Sequence, residues 1–192
     1  MTENNISSHE ELPHVEGYTP EKRTISILAA NLWAVLLLAA VGVVGWMAMN
    51  AIHQDIAFTH IDFMLAALLI LVCLVVHELV HGITWLLFLK RGFSHLRFGL
   101  MKGAAYCHID LPMLKHQYVV GALMPLLLVG VVPWAAGILA GSATWLLVGA
   151  VLIGGAVGDI MIVWKLRREP SDALVYDHPN EGGCYVYHKN EN

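Results

Sequence analysis

Charge is what this chain most lacks. Asp, Glu, Lys and Arg make up only 14% of its 192 residues, while 57% are hydrophobic. An ordinary soluble domain carries about 25% charged residues. One soluble core of this length cannot hide so much apolar surface. Cysteine is sparse as well: Cys73, Cys107 and Cys184 are odd in number and far apart. That excludes a disulfide framework and a CxxC zinc site. The net charge of -4 carries no basic signature, so no nucleic-acid partner is expected. Internal repeats and low-complexity tracts are missing too.

What is present is four long apolar runs. They cover residues 25–49, 63–89, 119–140 and 143–164. Each reaches the roughly 20 residues a helix needs to cross a bilayer. None alternates polar with apolar as a barrel strand would, so helices are expected. The first run is too long for a cleaved signal peptide and follows a polar segment. The expected fold is therefore an all-α membrane protein with four transmembrane helices. Its three parts are an N-terminal arm (1–24), a four-helix membrane domain (25–164) and a C-terminal tail (165–192).

The basic residues are distributed unevenly. Lys22 and Arg23 precede the first run. Lys90, Arg91, Arg97, Lys102 and Lys115 lie between the second and third, and Lys165, Arg167, Arg168 and Lys189 follow the fourth. The positive-inside rule then places both termini and the middle loop in the cytoplasm of a multi-pass cell-membrane protein. The arm, with His9 and His14, reads as flexible. In the middle loop, SHLRFGL and AAYCHI flank MKG at 101–103 and read as a β-hairpin. A free hairpin edge beside an active site can hold an extended peptide by strand addition. In the tail, DHPNEGG before CYVYH reads as a turn and a short strand.

Inside the second run stands VVHELVHGITW, residues 75–85. Each ionisable group at the centre of a membrane helix costs roughly 2.5–3.5 kcal/mol on insertion scales. His77, Glu78 and His81 form H-E-x-x-H. On a helix, positions i and i+4 share a face. Two imidazoles so placed can hold one zinc, and the glutamate between them can act as general base on a water. A polar patch that joins helices is the plainer reading of the same residues.

A third protein ligand is needed. Glu78 and Asp159 are the only carboxylates within the four apolar runs. With helices 2 and 4 running in the same direction, His81 lies about 13 Å before Lys90 and Asp159 about 9 Å before Lys165 at 1.5 Å per residue. Both then fall in the same half of the bilayer. Gly154 and Gly158 form a GxxxG step that permits close helix approach. Asp159 is accordingly the expected third ligand, with His108, His116 and Cys107 as the alternatives. Tyr106, Cys107, His108 and His116 border the expected access from the cytoplasmic side. They serve either to orient substrate and stabilise an oxyanion or as ordinary interfacial residues. Cys73, one turn before His77, reads as an apolar filler. Trp46, Trp145 and Trp164 read as interfacial belt residues.

HELVHG within an apolar run, a later helix bearing Pro125 (GALMPLLL), the aspartate of GAVGDI and the tail DHPNEGG resemble the putative zincin peptidases of bacteria. These are small multi-pass membrane proteins, distantly similar to site-2 proteases. The likeness runs over roughly residues 60–180. Site-2 enzymes carry an L-D-G step at the third ligand, whereas here Gly158 precedes Asp159 and Ile160 follows. The resemblance implies an intramembrane zinc metalloprotease acting on membrane proteins or peptides in the lipid bilayer. The cofactor would be Zn2+, with His77, His81 and Asp159 as ligands and Glu78 as general base. Two other classes fit the same residues: a non-catalytic metal-binding scaffold and a small metal or ion transporter. Four helices without an internal repeat are few for alternating access.

Overall fold

The structure is a computed structural model that describes residues 12–54, 56–101 and 104–190. Strand β1 (Tyr18–Thr24) leads into helix α1 (Ile27–His53), whose first turn is capped by the Ser26 hydroxyl. Helix α2 (His60–Leu89) opens with a reciprocal cap between Thr59 and Asp62. These two side chains satisfy backbone donors that a helix start would otherwise leave open. Strands β2 (Leu96–Met101) and β3 (Ala104–Ile109) form an antiparallel pair, from Leu96 opposite Ile109 to Met101 opposite Ala104. The expected hairpin is therefore there, while its turn at 102–103 lies outside the described residues.

Strand β4 (Met113–Leu114) precedes the third long helix, Lys115–Ala140. That helix consists of α3 (Lys115–Pro125), a widened π turn (Leu126–Val131) and α4 (Val132–Ala140). Pro125 has no N–H to donate, and the ladder loosens where that bond is missing. The fourth long helix, Ala143–Leu166, is α5 (Ala143–Gly155) followed by α6 (Val157–Leu166), with a break at Ala156. Strands β5 (Leu174–Asp177) and β6 (Gly183–Lys189) complete the chain. The four long helices have the length and composition of membrane spans. Leu28, Val35, Met64, Leu71 and Leu87 on α1 and α2 are 65–74% exposed. An outer surface this apolar suits lipid better than water, which makes this a multi-pass membrane protein by length and composition.

The all-α expectation needs correction. A four-stranded antiparallel sheet in the order β1-β6-β5-β4 accompanies the helices, beside the separate β2-β3 pair. Residues 18–24 of the supposedly flexible arm form its edge strand, paired along its length with β6. The physical reason is long-range pairing. YTPEKRT carries a weak, charged strand signal, and its partner lies at the far end of the chain. Pro20 is tolerated because β1 is an edge strand. Ion pairs of Lys22 with Glu181 and of Arg23 with Glu169 tie it to the rest of the chain. His9 and the other residues of 1–11 lie outside the described residues.

The sheet and the hairpin share one end of the bundle. Met113 of β4 pairs with Val175 of β5, and the same core holds Cys107, Ile109, Val175 and Leu166. At the opposite end, Thr144 donates to Asp62 (2.8 Å) and His53 donates to the Ile138 carbonyl (2.9 Å), pinning the two short connections.

Candidate metal centre

The helical period of α2 puts His77 and His81 on one face, with ring centroids 4.9 Å apart. Both are buried. The break at Ala156 restarts the fourth helix, so Asp159 sits in the first turn of α6. A carboxylate is favoured there by the helix dipole. Asp159 Oδ2 lies 3.3 Å from His77 Nε2, and its Oδ1 lies 3.6 Å from His81 Nε2. One ligand atom from each of the three residues falls within 4.8 Å of the others, and among the described residues this is the group that could hold a metal ion.

The glycine step works differently from the expectation. A Cβ on Gly154 would meet the Cβ of Leu38 at 3.0 Å and the Ala34 carbonyl at 3.1 Å, so this close approach is to α1, not α2. Gly158 lies near Ile25 and has no tight contact. The break at Ala156, rather than GxxxG packing, accompanies the placement of Asp159.

The hydrogen bonds around His81 test whether a cation fits. Its Nδ1 lies 2.9 Å from the Gly121 carbonyl. A carbonyl only accepts, so Nδ1 must donate. In the neutral ring, Nε2 then presents a lone pair to an Asp159 oxygen. A metal cation, like a proton, can bridge that lone pair and the carboxylate. Two imidazole nitrogens and a carboxylate oxygen form a donor set that zinc accepts, and a backbone carbonyl behind a ligating histidine is a common support. The residues present fit the group.

A stack supports this face. His81 lies on Trp85 and Trp85 on Tyr118, each pair 5.4 Å between centroids and close to parallel. Trp85 Nε1 donates to the Tyr118 carbonyl (3.1 Å). Gly121 leaves room here, since a Cβ would collide with the Trp85 indole.

A family profile described as putative zincin peptidase matches residues 68–174, more than half of the chain. The chain belongs to the putative zincin peptidase family. His77, Glu78, His81 and Asp159 all lie inside the matched residues. No curated protein and no solved structure matches the chain.

The remaining expected residues of this zincin family member separate clearly. Glu78 is half-buried on α2, with the Cys107 backbone of β3 beside its carboxylate. Of the alternative ligands, none joins the group. His116 is exposed and bonds the Ser171 carbonyl. The Cys107 sulfur packs by Gly82, and burial, reinforced by the Glu78 and Asp177 charges, pushes its thiol far up. Burial likewise pushes Cys184 up to about 12. Among the described residues neither sulfur joins the three-residue group. Cys73 packs against an apolar cluster with Ala66, Val129, Val148 and Leu152. Tyr106 lies across from Gly99 in the hairpin. Trp46, Trp145 and Trp164 are exposed.

His108 is buried, not at an open entrance, and donates Nδ1–H to Asp177 Oδ2 (3.1 Å). Tyr118 donates its hydroxyl to the other oxygen of Asp177 (2.9 Å). Sequence reasoning missed this clamp between β3, β5 and α3, as it missed Trp85, Tyr118 and Gly121. The one available signal was Asp177 itself, in the DHPNEGG tail.

Proposed function

We propose that this chain is an intramembrane zinc metallopeptidase, in the manner of site-2 proteases, that hydrolyses peptide bonds of membrane-associated substrates. The observation that carries the reading is the convergence of His77, His81 and Asp159 with Glu78 on the same helix. His77 and His81 would hold zinc through Nε2 and Asp159 through a carboxylate oxygen. Bound zinc supplies Lewis acidity: it polarises a carbonyl oxygen and makes water a nucleophile at neutral pH. Gly121 orients His81 by accepting its Nδ1 proton. Glu78 takes a proton from the attacking water and returns it to the amine that leaves. Strand β3 lies beside Glu78 and can hold an extended peptide by backbone pairing.

Both termini and the hairpin are read as cytoplasmic. The basic residues near the spans support this, because they cluster at that end. So does the pairing of β1 with β6 and of β4 with β5, which keeps these segments on one side. Reporter fusions after Asn192 and within residues 52–58 should report opposite sides, and agreement between them breaks the topology.

Glu78→Gln tests the chemistry. The purified variant should keep its zinc while cleavage of membrane peptides falls by roughly 10²–10⁴-fold. Zinc retained with no difference in turnover between wild type and variant would leave a metal-binding scaffold.

A further inference from the structure

The end of α2 carries a second feature, separate from the metal centre. On either side of Thr84 the helix exposes Ile83 and Leu87, and the short turn at Phe93–His95 follows the helix end. Ile83, Leu86, Leu87, Lys90, Arg91 and Phe93 line an open hollow of about 350 Å³, within the size range of small-ligand sites. Its walls are apolar, and its rim holds two cations. No carboxylate is among the lining residues. Among the described residues, neither Lys90 nor Arg91 forms an ion pair.

Lys90 has a further peculiarity. It closes α2 at φ 51° and ψ 42°, the left-handed region. Glycine adopts that conformation without strain and commonly occupies such caps. A lysine there turns the chain so that Arg91 follows it onto the same rim.

We infer that this hollow seats one anionic phospholipid. An acyl chain would lie along Ile83, Leu87 and Phe93, and the headgroup phosphate would meet Lys90 and Arg91. A zwitterionic lipid carries its own cation and leaves the two basic groups less fully compensated. An anionic phosphodiester on an apolar tail matches both halves of the hollow, as basic groups at a membrane surface match acidic lipid. The inference rests on the membrane reading of the four helices and not on peptidase activity. A Glu78→Gln protein should bind the lipid as wild type does.

Native mass spectrometry of the full chain in neutral detergent tests it, with phosphatidylglycerol and phosphatidylcholine of identical acyl chains. Wild type should retain one phosphatidylglycerol roughly tenfold more tightly than phosphatidylcholine. Lys90→Gln with Arg91→Gln should bring the two lipids level, and so should Phe93→Glu, which places an acid on the hollow without removing a cation. Arg167→Gln with Arg168→Gln, altering basic residues after the fourth helix, should leave the preference intact. Equal retention of both lipids by wild type overturns the inference. So does equal loss in the Arg167 and Arg168 variant, which would make the effect general surface charge. Displacement by glycerol phosphate at concentrations matching the lipid would also overturn it, because the acyl chain would then contribute nothing.

Discussion

Two aspartates in this molecule each face buried histidine, and they do so in opposite ways. Asp177 receives two hydrogen-bond donors, the His108 Nδ1–H and the Tyr118 hydroxyl. Its charge is answered by protons already in place, and the result is a clamp between β3, β5 and α3. Asp159 faces the Nε2 of His81, whose proton is committed on the other side of the ring to Gly121. His77 Nε2 lies 3.3 Å from its other oxygen, so two imidazoles and one carboxylate converge where a proton or a metal cation can be shared. A carboxylate that meets donors holds a fold together. One that meets two imidazole nitrogens at once is placed to share a cation with them, and that difference separates the candidate site from its neighbour.

Removing Asp159 should have the largest effect. Asp159→Ala takes away one of three ligands and the only carboxylate among them. Zinc in the purified protein should fall from about one per chain to near zero, and cleavage should disappear with it. Insertion should persist, because removing a charge from a membrane helix makes insertion easier. A variant that keeps its zinc would place the third ligand elsewhere and erase the contrast with Asp177.

Asp177→Ala should act on the fold instead. It leaves the His108 N–H and the Tyr118 hydroxyl without their acceptor, at a cost of roughly 1–3 kcal/mol for each buried orphan. The unfolding midpoint should drop while zinc stoichiometry stays at one. Loss of zinc as complete as in Asp159→Ala would show that the clamp belongs to the metal centre after all.

The contrast also explains what the sequence made legible. His77, Glu78 and His81 could be read because their relation is local: four residues of helix fix their face. Asp159 could be read because an unpaired carboxylate in an apolar run has few explanations. The helices were visible as runs of composition, and the β2-β3 hairpin as two short strands around a glycine-bearing turn. The Asp177 clamp was not legible, since its members lie 59 and 69 residues from their partners. Nor was β1, whose sequence reads as a solvated arm until β6 is beside it. The break at Ala156 was hidden as well. Gly154 and Gly158 suggested close helix packing, and the chain uses the first against α1 while breaking at Ala156.

His178 sharpens the comparison with the smallest effect. It is a third kind of buried histidine, one held neutral by the backbone. Its Nδ1 accepts from the N–H groups of Asn180 (3.1 Å) and Glu181 (2.9 Å), and its Nε2 lies 3.1 Å from the Tyr185 hydroxyl. A proton on Nδ1 would point at two other protons. Burial, first, and the nearby Lys22 charge hold its pKa below the ordinary 6.5. Between the folded value and 6.5 the unfolded chain binds more protons than the folded one, so stability rises with pH. The contribution is complete above about pH 6.5 and declines as pH falls toward the folded pKa. One group can supply a slope of at most about 1.4 kcal/mol per pH unit. Unfolding of the β5-β6 hairpin, followed by hydrogen exchange at Cys184 and Val186 between pH 7.5 and 5, should therefore become easier on acidification. His178→Asn keeps a side-chain acceptor for the turn but cannot titrate, and it should flatten that dependence. An unchanged slope in the variant would assign the acid sensitivity to another group and leave His178 as packing alone.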